Sequence, residues 1–341
     1  MQINSAFITG ANGFIGSYLT KFLAEQGIET TAFILKGTDC NLLRSIYPSL
    51  KNVKIVEGNI LDKKSLQKHV KGMNFIFHLA GIIQGYIQED YDRVNVFGTK
   101  NLLEICSNNS QELESLVIVS SISAAGYGTP DNPLIEDKVE EPILNDYYGI
   151  SKYRMECLAK SYNEKLPISI VRPCSVLGPG NFVILDNYKS VKLGIKLMMA
   201  GSKRYISIVD VEDIARGIYL CAENPKAVGE VFYFSSDGHI SFNEMSEIMN
   251  YKIFKRKYGS LLSITVPKFM IHIITLFSEL YHKMQRKPAP FINRSKLLGA
   301  YAPGQVVNSE KAKEILGWKP KYTIVETITR EGKWFQDHGW I

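Results

Sequence analysis

Tyr148 and Lys152 stand four residues apart in Tyr-Gly-Ile-Ser-Lys, which on a helix puts a phenol and an ammonium on one face. A free tyrosine, with a pKa of about 10, is a poor proton shuttle at neutral pH. A lysine cation beside it stabilises the phenolate and draws the phenol toward the working range. The pair alone also fits an ordinary helix surface; its position gives it weight. It follows an apolar run ending in Val119-Ser120-Ser121 and precedes one carrying Val171-Arg172-Pro173. Ends of such runs are where an open α/β sheet binds its ligand.

A second constellation sits near the start of the chain. Gly10, Gly13 and Gly16 follow the first apolar run and open an amphipathic stretch. The first glycine permits a tight strand-to-helix turn, the second lets a pyrophosphate approach the backbone, and the third lets helix and sheet pack closely. Free N–H groups and the positive helix end then suit phosphates, so the loop reads as a dinucleotide site. An NAD site usually carries an acid at the end of the second strand. Residues 32–38 there read Ala-Phe-Ile-Leu-Lys-Gly-Thr, without one. Lys36 suits a 2′-phosphate or is an ordinary exposed lysine; the reading favours NADP over NAD.

The elements that must position these residues show in the patterning. Apolar runs at 3–9, 30–35, 53–56, 75–79 and 116–119 alternate with helical patterns at 14–25, 41–46, 63–70 and 91–107. Helix 147–162 then leads to a strand at 168–171. This alternation predicts a parallel sheet covered by helices on both faces, with strands apolar throughout because both faces are buried. Beyond about residue 175 the rhythm breaks: a helix-like stretch at 190–199, a strand at 205–209, a helix at 212–222, a strand at 231–234, then a mostly helical remainder.

Here the chain resembles a known family. Gly-Ala-Asn-Gly-Phe-Ile-Gly, His78-Leu79-Ala80-Gly81, Asn95-Val96-Phe97-Gly98-Thr99, Ser120-Ser121, Tyr-Gly-Ile-Ser-Lys and Arg172-Pro173-Cys174-Ser175-Val176-Leu177-Gly178-Pro179-Gly180 occur in the order found in extended short-chain dehydrogenases/reductases, the NAD-dependent epimerase/dehydratase superfamily. Val209-Asp210-Val211-Glu212-Asp213 and Leu316-Gly317-Trp318-Lys319-Pro320 match later landmarks. The resemblance implies a doubly wound parallel Rossmann sheet with a smaller, mostly helical C-terminal substrate-binding domain. The expected division is 1–175 plus about 205–235 for the dinucleotide-binding domain, and 176–204 with 236–341 for the substrate domain. Carried over by position, Tyr148 is the catalytic acid/base and Lys152 tunes it and holds the nicotinamide ribose. The catalytic hydroxyl falls on Ser121, or on Ser123 if Tyr127-Gly128 sets the register; Ser121, at the strand end, is preferred. The implied cofactor contacts are Gly10, Asn12, Gly13, Phe14, Ile15, Gly16, Lys36, Asn59, Ile60, Leu79, Ala80, Tyr148, Lys152 and Pro173. Asn59 replaces an aspartate found in many relatives, losing a charge while keeping hydrogen-bonding capacity.

The resemblance also narrows the reaction. The family's dehydratases carry Thr-Asp-Glu at the serine position, and this chain does not. Sugar-nucleotide epimerases commonly have Asn where Ser175 stands, and Asp210 replaces a frequent His. The Arg-Pro-x-x-Val-x-Gly-Pro form is similar to the flavonol-reductase and 3β-hydroxysteroid-dehydrogenase branch. The expectation is therefore a ketone/secondary-alcohol oxidoreductase using NADP or NAD; the alternative is a sugar-nucleotide epimerase holding NAD tightly. Segment 261–282 bears on the substrate: it is rich in large apolar residues, interrupted by Lys268, His272, Thr275 and Glu279 and flanked by basic clusters. It is amphipathic rather than a clean membrane span. Three readings stand: a core helix of the substrate domain, a wall of a pocket for a hydrophobic substrate built on Phe269, Ile273 and Phe277, or an interfacial membrane contact.

Composition excludes several classes. Of 341 residues, 45% are hydrophobic and 22% charged, which argues against a disordered chain or a polytopic membrane protein. A net charge of +6 is a modest excess and gives no reason to expect a nucleic-acid groove. Five cysteines without a Cys-x-x-Cys pair suggest neither a disulfide framework nor a metal site, and fit a reducing cytoplasm. The start of the chain shows no basic-then-apolar leader pattern. A homodimer is expected from the family's paired helices, with Val94, Leu102, Met155 and Leu158 partly buried between subunits.

Overall fold

A computed structural model describes residues 5–108, 112–136, 141–200, 203–290 and 293–341. The first half supplies β1 (Ser5–Thr9), α1 (Phe14–Glu25), β2 (Glu29–Leu35), α2 (Asn41–Ile46), β3 (Val53–Gly58), α3 (Lys63–Val70) and β4 (Phe75–His78). The expected first strand also included residues 3 and 4, which lie outside the described residues. Next come α4 (Gln88–Tyr91), a π-helical turn at Asp92–Gly98, α5 (Thr99–Asn108), β5 (Ser115–Val119), a 3-10 turn at Ile122–Ala125, α6 (Tyr147–Lys160) and β6 (Ile168–Pro173). The second half contributes β7 (Ser175–Leu177), α7 (Leu185–Lys192), β8 (Ile195–Met199), β9 (Tyr205–Ile206), β10 (Ile208–Asp210), α8 (Val211–Glu223) and β11 (Val231–Phe234). It closes with β12 (Ile240–Ser241), α9 (Phe242–Lys252), β13 (Leu262–Val266), α10 (Lys268–Met284), α11 (Arg294–Tyr301), β14 (Gly304–Gln305), α12 (Glu310–Leu316) and α13 (Ile324–Asp337).

Seven parallel strands form one sheet in the order β11-β6-β5-β4-β1-β2-β3. The chain reverses direction across the sheet between β1 and β4, the switch point at which such sheets bind ligands. One face is filled by Ile8, Phe77, Phe232 and Phe234 against Leu19 and Leu23 of α1 and Ile214 and Ile218 of α8. The other packs Phe7, Ile76, Ile118 and Ile170 against Leu66, Leu102, Leu103 and Met155. A third core, with Tyr188, Ile206, Met245, Met249, Ile328 and Phe335, gathers α7, β9, α9 and α13. Two late landmarks meet at α8: the Trp318 indole donates to the Asp213 carbonyl (3.0 Å), and the Asp213 carboxylate accepts from the amides of Lys321 and Tyr322.

Several local expectations are corrected. Segment 91–107 is not one regular helix, since the π turn separates α4 from α5. It buries Asn95, whose side chain bonds both backbone groups of Ile82 and the Ser151 hydroxyl. Segment 190–199 is helical only to Lys192; Gly194 turns the chain at φ +81°, and β8 then pairs in parallel with β13. Segment 261–282 likewise begins as a strand, because Ile264, Thr265 and Val266 are β-branched, and becomes helical only after Pro267. Residues 205–210, expected as one strand at 205–209, form two short strands that pair within small sheets, β9 with β12 and β14 and β10 with β7.

Candidate active site

The glycine loop joins β1 to α1 beside the ends of β2 and β4. Gly10 adopts φ +70°, and a Cβ there would meet the Ala80 backbone at 2.8 Å, so the residue must lack a side chain. At Gly16 a Cβ would run into the Gly10 carbonyl oxygen, which makes this glycine the close packing contact between helix and strand. Gly13 has an ordinary φ of −70° and caps α1 without a side chain. Its constraint is therefore space alone, with a Cβ 3.2 Å from the Gly10 oxygen, and not a left-handed backbone. No side chain caps the twelve-residue α1 and no acid lies in its first turn, so the amide end is suited to an anionic group. Phe14 and Ile15 open that helix and pack partly on the core.

The surrounding positions divide by what they hold. Asn12 is committed to structure: its amide donates to the Thr38 hydroxyl (2.9 Å) and the Asp39 carbonyl (2.8 Å), tying the loop after β2 onto the glycine turn. Lys36 is exposed at the end of β2. Asp39, four residues past the end of β2, is thereby brought next to Asn12. Asn59 follows β3 and accepts the Leu61 amide, while the Ile60 side chain is buried against Gly98. Leu79 and Ala80 follow β4 and donate to the Thr9 carbonyl and hydroxyl. His78 bridges Thr9 (2.7 Å) and Thr99 (2.8 Å), and burial pushes its imidazole down to about 3, so it is a neutral tie rather than an acid or base. Pro173 ends β6 beside Phe234.

Ser121, Tyr148 and Lys152 converge at the carboxyl ends of β4, β5 and β6. The Ser121 hydroxyl accepts the Ser123 amide (3.2 Å), which fixes its rotamer, and its side chain faces the Tyr148 phenol closely enough to favour the ionised form. Ser123 lies one turn on, its carbonyl against Gly149 of α6. The electrostatics differ from the expectation drawn from spacing. Burial raises the Tyr148 phenol to about 12, with Ser121 opposing the rise and Asp146 and Tyr91 adding to it. The Lys152 ammonium is turned toward the Val119 carbonyl (3.0 Å), and burial lowers it to about 8. Its Nζ lies 3.5 Å from where a Cβ on Gly81 would sit, at the mouth of the β4 loop. In the free protein the phenol is thus fully protonated at neutral pH, the form that delivers a proton to a carbonyl oxygen.

Helix α6 is held by a buried ion pair. Glu156 accepts from Arg172 Nε (2.9 Å) and Nη2 (2.7 Å), and Arg172 also donates to the Tyr233 hydroxyl (2.9 Å). Arg172 is therefore a strut between α6, β6 and β11, and is not free to meet a diphosphate. Two site residues escaped the sequence reading. Lys296 of α11 places its ammonium 5.7 Å from the Tyr148 ring centroid, and burial lowers it to about 8 while Asp146 opposes. Asp146 caps α6 through the Gly149 amide (3.2 Å) and is itself raised by burial. No local pattern flags Lys296, which reaches the site from nearly 150 positions downstream.

The residues present fit a nicotinamide dinucleotide: an uncapped helix end over a glycine cradle, and a phenol, a hydroxyl and a buried ammonium at the far end of the cleft. When bound, such a cofactor supplies or accepts a hydride, chemistry that no side chain here can do. Among the described residues no cluster of His, Cys, Asp and Glu could hold a metal ion. The segment assigned to a pocket wall does not serve as one: Phe269 and Phe277 are 64% and 65% exposed, and Ile273 is also exposed. The core-helix reading fails with it, since among the described residues α10 buries only Thr275 and Glu279.

Comparison with known proteins agrees with this geometry. Residues 6–233 match the NAD dependent epimerase/dehydratase family. The mouse (Mus musculus) sterol-4-alpha-carboxylate 3-dehydrogenase, decarboxylating, is 24% identical over 95% of this chain and 88% of its own. The UDP-glucose 4-epimerase of Vibrio cholerae is 26% identical over 97% and 95%. The fold is shared with dTDP-glucose 4,6-dehydratase from Bacillus anthracis in complex with NAD, at a TM-score of 0.77, 19% identity and coverage of 99% and 98%. Dehydrogenase, epimerase and dehydratase thus all appear among the similar proteins.

Proposed function

Since the chain belongs to the NAD dependent epimerase/dehydratase family and is an enzyme of the extended short-chain dehydrogenase/reductase type, we propose that it interconverts a ketone and a secondary alcohol, with Tyr148 as acid/base. The observation that carries the reading is the gathering of Ser121, directly after β5, with Tyr148 and Lys152 of α6, whose ammonium donates to the Val119 carbonyl at the carboxyl edge of the sheet. In the reductive direction Tyr148 gives its proton to the substrate oxygen as negative charge develops there. Ser121 donates to the same oxygen and replaces part of its lost hydration. Lys152 supplies positive charge beside the bound dinucleotide and replenishes the electrostatic balance when the phenol is ionised.

The turn after β5 reads Ser-Ile-Ser-Ala-Ala, lacking the acid pair a dehydration needs, which sets dehydration aside. Two features support a ketone or alcohol over a sugar nucleotide. Arg172 is locked to Glu156. The sterol dehydrogenase among the relatives acts on an apolar body. The second reading, a sugar-nucleotide epimerase, draws on Arg204, which lies over the Phe242 ring just before β9, and on the epimerase relative. Either nicotinamide dinucleotide suits the cradle; Lys36 favours NADP, while Asp39 beside Asn12 disfavours a 2′-phosphate. Titration of the purified enzyme with NADH and NADPH, then turnover against steroid-like ketones, acyl ketones and uridine-diphosphate sugars, tests all of this. Sugar nucleotides binding at micromolar level, with no ketone turned over, would replace the main reading by the second.

A further inference from the structure

Helix α10 is built inside out. At 100° per residue its exposed apolar side chains, Phe269, Met270, Ile273, Ile274, Phe277 and Leu280 among them, span an arc of about 160°. The opposite face is the one that packs. Thr275 returns its hydroxyl to the Ile271 carbonyl (2.6 Å), and Glu279 takes both the amide (2.7 Å) and Nε (2.9 Å) of Arg294. None of the three cores includes a residue of this helix. A contiguous exposed apolar surface of this kind on a folded chain marks an interaction site.

Charge identifies the occupant. Residues 252–290 contain eight Lys and Arg and one acid, the internally paired Glu279. That segment carries +7, more than the +6 of the whole chain, so the remaining residues sum to −1. Lys268 stands at one end of α10, and Lys283, Arg286 and Lys287 at the other; all four are exposed. An apolar face bracketed by cations matches an acyl layer bordered by anionic headgroups. It matches a second copy of this chain poorly. Antiparallel pairing about a two-fold axis would set Lys268 of each helix against the cationic end of the other.

We infer that α10 docks the enzyme on anionic membrane surfaces, lying in the interfacial plane with its apolar arc inserted and its terminal cations on the headgroups. No helix among the described residues is long and apolar enough to cross a membrane, so the contact is peripheral. The docked helix adjoins the site. The Tyr86 hydroxyl donates to the Lys287 carbonyl (3.0 Å), Asn293 donates to the Gly85 carbonyl (3.1 Å), and α11 carries Lys296 over Tyr148. Docking does not depend on which carbonyl compound is the substrate, though it would bring the cleft to a layer in which apolar ketones dissolve.

The test is co-sedimentation of the full chain with vesicles of phosphatidylcholine, alone or with about 30% phosphatidylserine. Binding should require the anionic lipid and weaken with salt. Each surface cation contributes roughly fivefold on such membranes, so Lys268→Gln/Lys283→Gln/Arg286→Gln should lower the partition coefficient by roughly a hundredfold. Phe269→Ser/Ile273→Ser/Phe277→Ser should abolish it. Because these side chains are exposed, both variants should keep the wild-type melting temperature and turnover of a soluble substrate. Failure of the wild type to bind anionic vesicles overturns the inference, and so does binding that ignores the cation variant. Self-association lost in the serine variant, without vesicle binding, would assign the face to a second copy instead.

Discussion

Helices α6 and α10 both bury polar residues, and the contrast between them separates two uses of the same irregularity. On α6 every interior polar group has a long-range partner: Ser151 with Asn95, Lys152 with the Val119 carbonyl, Glu156 with Arg172. Those partners come from the π turn, β5 and β6, the elements that surround the cleft. On α10 the interior polar groups bond their own helix or the adjacent α11, and the apolar residues have no partner in any core. Polarity inside α6 is the cost of assembling chemistry; polarity inside α10 leaves the greasy face outward.

The largest effect that would break this comparison is on catalysis. Tyr148→Phe should reduce turnover by about 10²–10⁴-fold while leaving dinucleotide affinity nearly unchanged, because the ring still fills its place. Steady-state kinetics beside a fluorescence titration of the cofactor would check both halves, and near-normal turnover would remove Tyr148 from the mechanism. Next is the strut beneath it. Glu156→Gln leaves the Arg172 cation buried without its counter-charge and should cost about 3–5 kcal/mol, read as a lower urea midpoint at unchanged slope.

A smaller effect appears with pH. Lys152 sits near 8 in the free protein, and an anionic dinucleotide binds best to its charged form. Affinity should therefore be highest below pH 8 and fall as pH rises through it, by up to about tenfold per unit. Lys152→Met should flatten that limb. Lys296, also near 8, serves as the control, because Lys296→Met should leave the limb in place. The smallest effect is on α10, where Phe277→Ser should change stability by no more than about 0.5 kcal/mol. By contrast, Ile328→Ala in the buried face of α13 should cost about 2–5 kcal/mol. Thermal melts of the pair would show whether α10 contributes to the core after all.

What could be read from the chain follows the range of the forces involved. Elements α1, α2, α3 and β11 match their sequence bounds to the residue, since apolar period and glycine punctuation are local signals. The Tyr148–Lys152 spacing is equally local. Lys296 over Tyr148 was invisible because the two meet only through tertiary packing, and so was the rise in the Tyr148 phenol, which burial imposes. The π turn at Asp92–Gly98 keeps an apolar pattern close to that of a helix, so periodicity passed over it. At 261–282 a continuous apolar run could not separate strand from helix. That its hydrophobic side faces outward was one of three readings the sequence left standing, because a helical pattern states which residues share a face and not which face is covered.

The position of β11 has a consequence for biosynthesis. It is an outer strand of the main sheet, yet residues 174–230, which include β7 to α8, lie between it and its neighbour β6. At about 5–20 residues per second, a ribosome leaves β6 with a bare flank for roughly 3–12 s. Through that interval Arg172 has Glu156 but no Tyr233, and a row of unpaired amides and carbonyls is available to any neighbouring nascent chain. A fragment ending near residue 175 should accordingly be more prone to associate through β6 than one reaching Phe234, in which that flank is paired and Tyr233 has met Arg172.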